Sequence, residues 1–127
     1  MASPRPHPFS VVDVRVHGAA GIAVRGEVDL AAATELELAL DAAIRESRGD
    51  FFLDLSELEF LDSTGLRQLL RARAWLARQE RELAVICPPG PVRRLFEQTG
   101  IEDLLFLYET AEEAAAALVP TGGRPRS

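Results

Sequence analysis

FFLDLSELEFLDSTGL, residues 51–66, contains the transition on which the fold turns. Its first five residues form a short apolar run bounded by turn formers. That pattern predicts a strand buried at the centre of a sheet. Asp62, Ser63, Thr64 and Gly65 then interrupt the apolar sequence. A helix is predicted over residues 64–79, with Leu66, Leu69, Leu70, Leu76 and Ala77 along one face. Strand, polar loop and helix in succession are the unit of an α/β sheet, and sites are built in the loops at its strand ends.

Working outward, Val11, Val12, Val14 and Val16 mark a first strand from Phe9. A turn is expected from His17 to Gly21, and Ile22, Val24 and Val28 mark the other half of a hairpin. Asp29 is placed to cap a helix carrying Ala33, Leu36, Leu40, Ala43 and Ile44, with Gly49 as its stop. Residues 83–87 (LAVIC) read as another buried strand. Pro91 suits the first position of a third helix, and Gly100 its end. A short strand is expected over 105–108, then a helix from the TAEE capping box at 110–113 through Leu118. The expected order is β-β-α-β-α-β-α-β-α: one α/β domain over residues 9–118 with a mixed sheet and packed helices. The segments 1–8 and 119–127, rich in Pro, Gly and polar residues, read as mobile tails.

Composition narrows the function. The chain has 127 residues, room for one domain. Its net charge is −6, with 20 acids against 14 bases, which disfavours nucleic acid or an anionic membrane as the main partner. The one local basic cluster lies between Arg67 and Arg81. A single cysteine, Cys87, allows no internal disulfide and reads as a small buried hydrophobe. There is no signal-peptide core and no membrane-length apolar run, so a cytoplasmic location is expected.

No enzyme is expected, and no cofactor or metal. The only histidines, His7 and His17, are poorly placed to serve Ser63 as a base. Clustered metal ligands and a phosphate-binding glycine loop are both missing from the sequence. Trp75 falls nearly opposite the apolar face of its helix, either under a neighbouring loop or at a partner surface. Arg73 falls on the buried-side stripe, its head reaching solvent.

Two readings of Ser63 remain. It can cap the helix. It can also carry a phosphate at a helix N-terminus, where dipole and free N–H groups favour negative charge, with Arg67 one turn on. Such a group brings about −1.5 to −2 charges beside Asp62, to be felt by whatever docks there.

At these residues the sequence resembles STAS domains, in particular bacterial anti-sigma factor antagonists. The resemblance spans about residues 9–118 and rests on three segments in order: GEVDLAAA, FFLDLSELEFLDSTGL and ICPPGPVRRLFEQTGI. It implies that Ser63 is the phosphoacceptor, with Thr64 a neighbour. It places Asp29 and Asp62 at the docking edge, with Thr64, Gly65 and Arg67 around the acceptor. It implies an anti-sigma factor with serine kinase activity as partner and a PP2C-type phosphatase that resets the switch. The unphosphorylated form would bind the anti-sigma factor and release the sigma factor. Ala32 and Arg67 depart from residues common in the family, Ser or Thr and a small residue. The alternative is a constitutive STAS scaffold in a larger sensory or lipid-trafficking assembly, with Ser63 unmodified.

Overall fold

The computed structural model describes residues 9–117. The expectations for segments 1–8 and 119–127, and for Leu118, fall outside the described residues. Two strands open the chain, β1 (Ser10–Val16) and β2 (Ala19–Val28), followed by α1 (Leu30–Arg45), β3 (Phe51–Asp54) and β4 (Leu58–Leu61). Then come α2 (Ser63–Arg78), β5 (Leu83–Ile86), α3 (Pro91–Thr99), β6 (Phe106–Tyr108) and α4 (Ala111–Ala117). The main sheet runs β1-β2-β3-β5-β6, antiparallel between β1 and β2 and parallel elsewhere.

The expected order holds, with one strand added. β4 pairs in parallel with the second half of β2, whose first half carries β3. A turn divides β3 from β4: Asp54 Oδ1 accepts from Ser56 N at 2.9 Å and from Ser56 Oγ at 2.6 Å. Opposite it β2 shifts register at Gly26, whose φ is 86°. The sequence hides β4 because Glu59 and Phe60 both point outward between buried Leu58 and Leu61, so apolar alternation is lost.

The hairpin turn is also shorter than expected. His17 and Gly18, with φ of 51° and 88°, make a two-residue turn, and Val16 pairs with Ala19. Gly21 lies inside β2, where a Cβ would collide with the Phe52 carbonyl and approach its Cβ to 2.8 Å. Glycine there lets β2 and β3 lie close.

The main core lies between the sheet and helices α1, α2 and α3. It contains Leu36, Leu40 and Ile44 of α1, Leu66, Leu69 and Leu76 of α2, and Phe96 of α3. α4 covers the opposite face, where Ala114 packs with Phe52, Ala84 and Ile86. Pro91 opens α3, and Gly100, at φ 75°, ends it as expected. Gly49 also has a positive φ of 75°, but α1 stops earlier, at Arg45. Its end is held by Arg81, which donates to Ile44 O at 3.0 Å, Gly49 O at 2.6 Å and Ser47 Oγ at 2.8 Å. On α2 the buried small residues are Gly65 and Ala72, while Arg73 and Ala77 are exposed, against the expected stripe. Leu66, Leu69, Ala72 and Leu76 are the residues by which α2 faces the core.

Candidate functional site

The strands β2 and β4 end side by side, with Val28 paired to Leu61 and both pointing into the core. One residue later each chain reaches an aspartate, and each aspartate caps a helix. Asp29 Oδ1 accepts from Ala32 N at 3.0 Å, and Asp62 Oδ1 accepts from Gly65 N at 2.9 Å. The first turns close alike, Ala33 N donating to Asp29 O at 2.9 Å and Leu66 N to Asp62 O at 3.0 Å. Asp62 N also donates to Val28 O at 3.1 Å, which ties the second cap to the end of β2. Two helix N-termini therefore open beside each other at one sheet edge, and their dipoles favour negative charge there.

Gly65 makes this closeness possible. A Cβ on it would meet Val28 Cγ1 at 2.8 Å and run into the Leu61 side chain. Gly65 is buried, and the missing side chain seats α2 against β2 and β4.

Ser63 occupies the first helical position of α2 and is exposed. The cap that its hydroxyl could have supplied is supplied by Asp62. Thr64 is half-buried, and Arg67, one turn on, is exposed. Asp29 is exposed and Asp62 half-buried. The structure thus brings Asp29, Asp62, Ser63 and Thr64 to one edge.

Sequence reasoning missed two apolar residues there. Leu30, at the first position of α1, is 71 % exposed, and Phe60, two residues before Asp62, is 48 % exposed. Leu30 continues the core spacing of Ala33, Leu36 and Leu40, so periodicity alone would bury it. Its place at the helix mouth puts it outside. Phe60 borders a cleft of about 250 Å³ whose wall includes Pro91, Val92 and Leu95 of α3. Paired acids flanked by exposed apolar side chains make a surface suited to a protein partner.

No group of His, Cys, Asp and Glu among the described residues is arranged to hold a metal ion. No helix among them is long and apolar enough to cross a membrane. Trp75 is half-buried and packs against the main core, with Arg45 Cζ of α1 5.9 Å from its ring centroid. Cys87 is buried just past β5, and burial pushes its thiol up to about 11.

The model of the STAS domain family matches residues 11–114. The chain belongs to the STAS-domain family. Among curated STAS relatives, an anti-sigma-B factor antagonist of Staphylococcus aureus is 31 % identical over 91 residues, covering 72 % of this chain and 84 % of that protein. The anti-sigma-F factor antagonist RsfB of Mycobacterium tuberculosis is 29 % identical over 119 residues, covering 94 % of this chain and 95 % of the relative. Among solved STAS structures, an anti-sigma factor antagonist from Mycobacterium paratuberculosis superposes with a TM-score of 0.80 at 30 % identity. That match covers 87 % of this chain and 94 % of the other. These relatives are named for antagonism of an anti-sigma factor, a binding role and not a catalysed reaction.

Proposed function

We propose that this STAS domain is an anti-sigma factor antagonist whose binding is switched off by phosphorylation of Ser63. The observation that carries the proposal is the division of labour at α2. Asp62 caps the helix, so the exposed Ser63 hydroxyl is not needed for the fold and is presented to solvent. The relatives' names supply the class of partner. In this reading the partner is an anti-sigma factor with serine kinase activity, which docks over Asp29, Leu30, Phe60 and Asp62. A PP2C-type phosphatase removes the phosphate.

The charge accounts for the switch. A phosphate on Ser63 adds about −1.5 to −2 charges beside Asp62 and Asp29. The helix N-terminus and Arg67 accommodate it in the free protein. In a closed interface it is desolvated among acids, at a cost of several kcal/mol. Each ~1.4 kcal/mol weakens binding tenfold, so one phosphate lowers affinity by orders of magnitude.

The test pairs Ser63→Ala and Ser63→Asp with the anti-sigma factors of the same organism, in a direct binding assay with ATP present or withheld. Ser63→Ala should bind and stay bound with ATP, and Ser63→Asp should bind weakly throughout. Phosphate on the alanine variant would move the acceptor elsewhere, and wild-type affinity of the aspartate variant would remove the electrostatic gate.

A further inference from the structure

α2 carries four arginines, Arg67, Arg71, Arg73 and Arg78, and no acid, in a chain whose net charge is −6. Three of them are aligned. At about 100° per residue, Arg67, Arg71, Ala74 and Arg78 fall within about 60° of one another, on the side away from the core. They form a basic ridge that starts one turn beyond Ser63. Beside it lies a cleft of about 310 Å³ between α1 and α2, lined by Asp41, Arg45, Arg71, Ala74, Trp75 and Arg78. Trp75 is half-buried, and Arg45 stands over its ring. Arg71 is held in place, donating from Nη2 to Asp41 Oδ1 at 2.7 Å and from Nε to Gln68 Oε1 at 2.9 Å. A guanidinium fixed by two such bonds is already oriented to meet a carboxylate.

We propose that this ridge and cleft dock an acidic, extended peptide segment of a partner protein. The spacing fits. Arg67 and Arg71 are about 6 Å apart along the helix, and alternate residues of an extended chain are about 6.6 Å apart. Trp75 lies about 12 Å from Arg67 along the helix and Arg78 about 16.5 Å, and positions one, three, five and seven of an extended chain share one face over about 20 Å. Carboxylates at positions one, three and seven of the segment would meet Arg67, Arg71 and Arg78, the long Arg78 side chain covering the last ~3 Å. An apolar residue at position five would enter the cleft against Ala74 and Trp75. Nucleic acid is disfavoured, because so few cations neutralise few phosphates while the rest of the chain repels a polyanion. This surface lies along α2, beyond the switch at its N-terminus, and its occupancy requires no phosphate on Ser63.

Trp75 is the only tryptophan in the chain and lines the cleft, so it reports occupancy. The full chain is titrated with acetyl-Glu-Ser-Glu-Ser-Phe-Ser-Glu-amide while tryptophan emission is followed. We expect a saturable change, weakened at least tenfold by Arg67→Glu with Arg78→Glu and unchanged by Arg15→Glu on β1. Circular dichroism melts confirm that each variant is folded. An equal response to the peptide with Lys in place of Glu would overturn the proposal. So would the absence of saturation at millimolar peptide, or unchanged affinity in the double variant. Tighter binding of a six-nucleotide oligothymidylate or of phosphatidylglycerol vesicles would assign the ridge to those ligands instead. The titration contains no anti-sigma factor and no kinase, so its result is independent of the fate of the Ser63 switch.

Discussion

At the scale of single residues, two aspartates do similar work and one serine is relieved of it. Asp29 and Asp62 each satisfy an otherwise unpaired backbone N–H in a first helical turn. Replacing either by Ala should cost about 1 kcal/mol in urea unfolding. Asp62→Asn should keep most of that stability, since Asn caps nearly as well, and so separate the cap from the charge. Ser63→Ala should change stability by less than about 0.5 kcal/mol, as expected of an exposed side chain outside the cap. Cys87 behaves differently. Burial raises its thiol to about 11, with Glu97 adding to the shift and Arg93 opposing it. Because the folded value lies above the unfolded one, this contribution to stability is complete below the unfolded pKa. It is lost as pH rises through the folded value. Urea midpoints measured from neutral pH to pH ~11 should therefore fall more steeply in the wild type than in Cys87→Ala.

At the scale of elements, the site depends on how closely α2 approaches β2 and β4. Gly65→Ala puts a methyl group against Val28 and Leu61. It should destabilise the fold by about 1–3 kcal/mol, and by displacing Ser63 it should also weaken partner binding. A Gly65→Ala protein with wild-type stability and affinity would show that α2 moves away at no cost. Much of this was legible beforehand. Asp29 as a cap, Pro91 at a helix start, Gly100 at a helix end and the buried strand at residues 51–55 follow from local chemistry. What was not legible depends on tertiary contact. β4 lacks apolar alternation, Gly21 is needed only because Phe52 lies beside it, and Leu30 shares the core spacing yet is exposed. Arg73 and Ala77 sit near the edge of the stripe, where a small rotation of α2 exchanges buried for exposed.

At the scale of the molecule, the sheet and its helices build one edge, and the proposed switch rests on it. Helices α1, α2 and α3 share one core beneath that edge, so the two capped N-termini are held together by packing that Ser63 does not touch. In the proposed switch, a phosphate on Ser63 would change what the surface offers without changing the fold. In that switch, Ser63 is the residue on which this charge is written. The most direct measurement is peptide mass spectrometry of the protein isolated from its own cells, with and without phosphatase treatment. A phosphate located on Ser63 and removed by the phosphatase is expected. Unmodified Ser63 under growth and stress conditions alike, or a phosphate on Thr64 alone, would contradict it and favour a constitutive scaffold.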